Sequence, residues 1–148
     1  MSNTVVITGA NRGIGLALSQ CFSAQGDNVI AVCRKSSAEL EQIENVNIVA
    51  GVDVTEDDGL ALMAQKVADS EVDVLICNAG ILRDENIESL NSETIREQFE
   101  VNALAPLRVV NALLDNLAAN GKVAMITSRM GSIEDNTSGG RYGYFSLP

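Results

Sequence analysis

The stretch Thr8–Gly15 constrains the fold of this chain more than any other part of the sequence. It reads Thr-Gly-Ala-Asn-Arg-Gly-Ile-Gly and follows the apolar run Val5–Ile7. Glycine tolerates positive φ and close backbone approach, and the first turn of a helix offers unpaired amides to an anion. The stretch therefore predicts a strand, a phosphate-binding turn and a helix. The alternative is a βα turn whose glycines serve packing alone.

Short apolar runs alternate with helical patterns along the rest of the chain. The runs are rich in Val, Ile and Ala, which is typical of strands buried on both faces of a parallel sheet. They cover Val5–Ile7, Val29–Cys33, Val46–Ala50, Val72–Cys77 and Val123–Thr127, with helical segments near 13–25, 37–44, 56–69 and 92–119. This alternation predicts an α/β fold with a doubly wound parallel sheet of about five strands, in a single domain spanning residues 1–148.

Apolar spacing also predicts the buried helix faces. The first helix is expected to bury Ile14, Ala17, Leu18, Cys21 and Phe22, and the fourth Ile95, Phe99, Val109, Leu113 and Leu117. Thr55 and Ser92 are the candidate N-caps of the third and fourth helices.

Composition narrows the class of function. The net charge of −10 argues against a nucleic-acid partner, and the absence of histidine argues against a metal site or a catalytic imidazole. No segment is long and apolar enough to cross a membrane. The three widely spaced cysteines are expected to be buried, reduced thiols of a cytoplasmic protein.

Polar residues end the apolar runs, where ligands bind in doubly wound sheets. They are Thr8, Arg34, Lys35, Asp53, Asn78 and Ser128. Read in order, they resemble the short-chain dehydrogenase/reductase family, whose cofactor loop is similar to Gly9-x-x-x-Gly13-x-Gly15. The residues from Ser128 to Ser132, and the Gly-Gly-Arg-Tyr-Gly-Tyr segment that ends at Tyr144, resemble the subgroup related to the C-factor signalling protein.

The resemblance implies an oxidoreductase that acts on a carbonyl or alcohol group of a small molecule. The cofactor-binding residues that it implies are Gly9, Asn11, Arg12, Gly13, Ile14, Gly15, Arg34, Asp53, Val54, Asn78, Ala79 and Gly80. Three catalytic residues are implied: Asn102, Ser128 and Tyr144. Tyr144 would transfer a proton, Ser128 would bind the substrate oxygen, and the carbonyl of Asn102 would hold a relay water. Pro106, four residues after Asn102, cannot donate a helical hydrogen bond to that carbonyl; the alternative is that Pro106 only kinks the helix.

Charge predicts the cofactor. The segment Val32-Cys33-Arg34-Lys35 contains no acidic residue, whereas NAD sites usually place a carboxylate there. Arg12 adds a second cation within the glycine turn. We expect NADP(H) rather than NAD(H); alternatively, Arg34 and Lys35 form a solvated loop pair.

The catalytic pattern is incomplete. In the family a lysine follows the tyrosine by four residues and lowers the pKa of the phenol, but Pro148 stands four residues after Tyr144 and no lysine follows Lys122. We therefore expect a chain truncated after the tyrosine, by a frameshift or an early stop, without the C-terminal part of the family fold. Homo-oligomerisation, common in the family, is then in doubt. Two alternatives to an active enzyme remain: an inactive fragment that retains partial dinucleotide binding, and an interaction protein that pairs with a full-length relative.

Overall fold

Five parallel strands form a single twisted sheet in the computed structural model, which describes residues 2–132, 134–135, 141 and 144. The strands are β1 (Thr4–Thr8), β2 (Asn28–Val32), β3 (Val46–Val49), β4 (Val72–Cys77) and β5 (Leu117–Met125). Their order across the sheet is β3-β2-β1-β4-β5. The central strand β1 pairs with β2 on one side and with β4 on the other. All five strands therefore end at the same edge of the sheet, which confirms the predicted α/β, Rossmann-type fold.

Helices cover both faces of this sheet. They are α1 (Gly13–Ala24), α2 (Ala38–Glu41), α3 (Asp57–Val67), α4 (Ser92–Phe99) and α5 (Ala105–Ala112). Alternate residues of β1 point to opposite faces, so Val5 and Ile7 pack in the cluster with Leu40 of α2, while Val6 packs in the cluster with Met63 of α3 and Val109 of α5. The described helices include none that is long and apolar enough to span a membrane.

The predicted fourth helix, near 92–119, is four helical pieces followed by a strand, the last piece being the short 3-10 turn Leu114–Asn116. A π-helical turn, Glu100–Leu104, lies between α4 and α5, and α5 ends at Ala112. Leu117, expected on the helix, instead begins β5 and pairs with Val72. Pairing with β4, interrupted by one irregularity between Val72 and Val74, offers this segment backbone hydrogen bonds that outweigh its weak preference for helix.

The buried face of α1 differs from the predicted one. Ile14 is 62% exposed and Cys21 is exposed, whereas the small residues Gly15 and Ser19 are fully buried. A helix that approaches a sheet this closely leaves no room for large side chains on the facing stripe. Leu18 and Phe22 are partly buried against the core, as expected. The prediction of buried thiols is wrong for Cys21 and confirmed for Cys33 and Cys77.

Both predicted N-caps are displaced by one residue. Glu56, not Thr55, precedes α3, and it makes no side-chain capping bond. Asn91, not Ser92, caps α4, because its Oδ1 accepts hydrogen bonds from the amides of Glu93 and Thr94.

Apolar side chains remain exposed around β5 and α5. β5 lies at one edge of the sheet. Val123 and Met125 of β5 are 40% and 48% exposed, and Leu107 of α5 is 63% exposed. An open sheet edge and an apolar helix surface are thus both present in the described part of the chain.

Candidate functional site

The glycine turn after β1 is held against the end of β4 by a small hydrogen-bonded clamp. The Asn78 side-chain amide donates to the carbonyl oxygens of Thr8 (3.0 Å) and Gly9 (3.2 Å). In return, the Thr8 hydroxyl accepts hydrogen bonds from the backbone amides of Asn78 (3.0 Å) and Ala79 (3.1 Å). The Asn78 side chain therefore fixes the turn, and the backbone of residues 78–80 remains to line the site.

Glycine is required at positions 9 and 15 by the closeness of this packing. Gly9 has φ +67°, and a Cβ there would lie 2.8 Å from the Ala79 Cα. A Cβ on Gly15 would lie 2.3 Å from the Gly9 carbonyl oxygen. Gly15 thus brings α1 onto the turn and does not itself line a cleft among the described residues.

The turn leaves the N-terminus of α1 open to an anion. Arg12 occupies the N-cap position without a side-chain capping bond, and the first turn of α1 contains no acidic residue. Within the described part of the chain, no acceptor meets the backbone amides of Gly13 and Ile14. Gly13 has φ +54°, and a Cβ built there would meet nothing within 4 Å. Free amides at the positive end of a helix dipole, beside open space, suit a pyrophosphate.

This N-terminus opens into a cleft of about 1230 Å³ along the carboxyl edge of β1, β2 and β4. The cleft contains the predicted cofactor-contacting residues other than Gly15: Gly9, Asn11, Arg12, Gly13, Ile14, Arg34, Asp53, Val54, Asn78, Ala79 and Gly80. Lys35 lines it as well, and so do Glu56, Glu97 and Glu100, which the sequence interpretation did not include. Cations and carboxylates therefore both face this first cleft.

Asp53 lines the wall of the first cleft that follows β3, and hydrogen bonds fix the conformation of its side chain. Its Oδ1 accepts hydrogen bonds from the amide (3.0 Å) and the hydroxyl (2.7 Å) of Thr55. Arg34 lies 3.9 Å from its Oδ2 in a loose ion pair. Burial by itself would raise the pKa of Asp53, but the bonds from Thr55 and the charge of Arg34 outweigh it and hold the pKa below its usual value.

Two residues that sequence reasoning missed hold this wall in place. A Cβ on Gly59 would lie 2.2 Å from the Asp53 carbonyl oxygen, so only glycine lets α3 approach so closely. Arg108 of α5 donates to the Thr55 carbonyl oxygen (2.5 Å) and pairs with the Asp57 carboxylate. A glycine inside a helical pattern is the signal that would have revealed Gly59, because it costs stability unless packing requires it.

A second cleft, of about 720 Å³, adjoins the first and shares Ile14 and residues 78–81 with it. The three predicted catalytic residues, Asn102, Ser128 and Tyr144, all line this second cleft. They come from the π-helical turn, the segment after β5 and the C-terminal segment, so the fold gathers parts of the chain that are far apart in sequence.

Asn102 and Ser128 are held by backbone contacts. The Asn102 side chain donates to the Ile81 carbonyl oxygen and accepts from the Ile81 amide, both at 2.8 Å. This pair of hydrogen bonds ties the Asn102 side chain to Ile81, and Pro106, four residues after Asn102, has no N–H to donate to the Asn102 backbone carbonyl. The Ser128 hydroxyl accepts a hydrogen bond from the Met130 amide (3.2 Å), which fixes the oxygen and leaves its proton free to donate.

Cys77 also lies in the wall of the second cleft. Burial raises the pKa of its thiol to about 11, and the sulfur lies 3.8 Å from the Pro106 carbonyl oxygen. A thiol that stays protonated is a poor nucleophile, so Cys77 serves as part of the apolar wall. The described residues contain no group of histidines, cysteines or acids suited to a metal ion.

Comparison with known proteins identifies the class that this arrangement defines. Residues 3–143 match the family model of the short chain dehydrogenases. The chain belongs to the short-chain dehydrogenase family.

Individual relatives place the chain within this family. It is 36% identical over 144 residues to the 1-hydroxy-2-glutathionyl-2-methyl-3-butene dehydrogenase of Rhodococcus sp. strain AD45, covering 96% of this chain and 63% of that enzyme. It is 43% identical over 89 residues to the C-signal protein of Myxococcus xanthus, covering 55% of this chain and 51% of that protein. The chain thus spans between half and two thirds of the length of these curated relatives.

A solved structure shares the fold. The carbonyl reductase of Pseudomonas aeruginosa PAO1 in complex with NADP superposes with a TM-score of 0.88 at 31% identity, over 97% of this chain and 69% of that one.

Proposed function

We propose that the chain is an NADP(H)-dependent oxidoreductase that acts on a carbonyl or alcohol group of a small molecule. The observation that carries this proposal is the junction of the two clefts. One cleft offers free amides and cations to a dinucleotide, and the other gathers Asn102, Ser128 and Tyr144. They meet at Ile14 and residues 78–81, which is where a reacting ring and a substrate would have to lie side by side.

Residues of the first cleft bind the dinucleotide, and residues of the second cleft act on the substrate. The amides at the start of α1 and the Arg12 guanidinium hold the pyrophosphate, and Asp53 with Val54 bounds the adenine end. A bound nicotinamide dinucleotide supplies or accepts the hydride. Ser128 donates a hydrogen bond to the substrate oxygen, Tyr144 exchanges a proton with it, and the Asn102 carbonyl holds a water that relays the proton.

The preference for NADP(H) is proposed from the charges near the end of β2. Arg12, Arg34 and Lys35 line the first cleft, and residues 32–35 include no carboxylate. Arg34 is 70% exposed, and its 3.9 Å contact with Asp53 is long for an ion pair. An added 2′-phosphate can therefore attract Arg34 without breaking a strong bond.

Titration with NADPH and NADH tests this proposal. We expect NADPH to bind at least tenfold tighter, because a charge-assisted phosphate contact contributes about 1.5–3 kcal/mol. Arg34→Gln and Arg12→Gln should reduce that preference, whereas Lys66→Gln, which removes an exposed positive charge outside both clefts, should not. NADH binding as tightly as NADPH would contradict the assignment.

A second candidate is a chain that binds the dinucleotide without turnover. Pro148 stands where the family's lysine would follow Tyr144, so the charge that activates the phenol is missing. A steady-state assay with NADPH and a panel of aldehydes and ketones separates the two candidates. Turnover favours the enzyme, and tight NADPH binding without turnover favours the binding protein.

Association with a full-length relative remains a third candidate. It would use the exposed apolar side chains of α4 and α5, namely Phe99 and Leu107, with Leu114 just beyond α5. Size-exclusion chromatography of the chain with and without such a relative tests it, and separate elution would refute it.

A further inference from the structure

The second cleft has an unusual balance of charge for this protein. Its described walls are largely apolar, with Leu82, Leu107, Met125 and Ile126 all partly exposed toward solvent. Among the described residues that line it, Arg129 is the only one with a formal charge at neutral pH. The chain as a whole has a net charge of −10, and the first cleft contains carboxylates. A single charged side chain in the described lining of this apolar cleft is thus a local feature that the overall composition does not explain.

Arg129 is placed beside the atoms that would meet the substrate. It directly follows Ser128, and both belong to the short turn that ends at Gly131. Its side chain is 76% exposed and pairs with Asp135 at 3.5 Å. The Asp135 side chain is only 26% exposed, but its carboxylate contacts the guanidinium at Nε over a long 3.5 Å. Because a guanidinium carries five N–H donors and this one is largely exposed, an anionic group of a ligand can bind Arg129 beside the Asp135 carboxylate.

We propose that Arg129 selects the substrate, so that the second cleft favours carbonyl or alcohol compounds with an apolar body and a carboxylate group. This inference rests on the proposed function, because it assigns the second cleft to the substrate. The apolar walls bury the body of the compound, Ser128 meets the reacting oxygen, and the guanidinium binds the carboxylate with paired hydrogen bonds.

A matched pair of aldehydes tests the selection. The probes are 4-carboxybenzaldehyde and its methyl ester, methyl 4-formylbenzoate, which present the same aldehyde and differ in charge. Each is titrated calorimetrically into the chain saturated with NADP⁺, in which no reduction of the aldehyde can occur. We expect the carboxylate to bind about three- to tenfold tighter than the ester, since one exposed charge-assisted contact is added.

Variants separate selection from folding. Arg129→Gln should abolish the preference while the ester binds as before, and Arg129→Lys should keep part of it. Arg96→Gln is the matched control, because Arg96 is a similarly exposed arginine in an ion pair with Glu93 and lies outside both clefts; it should leave the preference unchanged.

The outcomes distinguish this inference from the proposed function. Equal binding of both probes by the unaltered chain, or a preference that survives in Arg129→Gln, would overturn the role of Arg129. The titrations are repeated without dinucleotide, so that a failure of NADP⁺ to bind would overturn the proposed function while the probe preference is still measured.

Discussion

Gly59 offers a sharp test of how the first cleft is built. In Gly59→Ala the added methyl group would lie 2.2 Å from the Asp53 carbonyl oxygen and 2.8 Å from its amide nitrogen. Ordinary contact starts at 3.4 Å, so α3 or the Asp53 backbone must move by about 1 Å. Overpacking costs about 1–3 kcal/mol, and a clash with backbone atoms belongs at the upper end, about 2–3 kcal/mol. The helix preference of alanine returns about 1 kcal/mol. A net loss of about 1–2 kcal/mol lowers the Tm by about 2–8 °C in a chain of this size.

The same displacement should weaken NADPH binding. Asp53 and Val54 line the first cleft, and loss of about one hydrogen bond there corresponds to roughly tenfold in affinity. The measurements are thermal unfolding by circular dichroism and titration with NADPH. Gly131→Ala is the control for stability, because its added methyl group meets nothing within 4 Å. If Gly59→Ala unfolded and bound NADPH like the unaltered chain, the close approach of α3 to Asp53 would be refuted.

Three further predictions follow from contacts in and near the clefts. Arg108→Gln loses the charge-assisted contact with the Thr55 carbonyl oxygen, and it should lower stability by about 1–2 kcal/mol and weaken NADPH binding; an unchanged affinity would show that the Arg108 contacts do not position Asp53 and Val54. The pKa of Asp53 is lower in the folded chain than its ordinary value of about 3.8, so the ionised carboxylate stabilises the folded state at pH values above 3.8. This stabilisation is lost as the pH falls through the lower pKa of the folded state. Between pH 5 and pH 3 the chain should therefore lose Tm more steeply than Asp53→Asn, and equal slopes would contradict this. Iodoacetamide at pH 8 should modify exposed Cys21 well before Cys77, whose pKa is raised to about 11 by burial; peptide mass spectrometry reads the order, and early labelling of Cys77 would contradict its burial.

The strand ends could be predicted from the sequence because burial on both faces leaves a continuous apolar signal. The observed β4, Val72–Cys77, has the predicted bounds, and β1 to β3 lie within one residue of theirs at each end. In a parallel sheet all carboxyl ends share one edge, so the polar residues after these runs had to converge. That geometry is the reason why the sequence alone predicts Asp53 and Asn78 at the same site.

The errors arose where contacts distant in sequence override local pattern. The helical spacing of Leu113 and Leu117 predicts that the fourth helix continues to Leu117. In the structure, Leu117 instead belongs to β5, because it pairs with β4. The apolar spacing of α1 placed Ile14 inside, whereas close contact with the turn requires Gly15 there and turns Ile14 toward both clefts. Arg108 was missed because its partner, the loop at Thr55, is more than fifty residues away and no local pattern marks it.

A structure of the chain crystallised with NADPH tests the central claim most directly. We predict the pyrophosphate against the amides of Gly13 and Ile14, the 2′-phosphate beside Arg12 and Arg34, and the nicotinamide at the wall shared by the two clefts, next to Ser128. A dinucleotide bound elsewhere, or a first cleft that stays empty at saturating NADPH, would contradict the account.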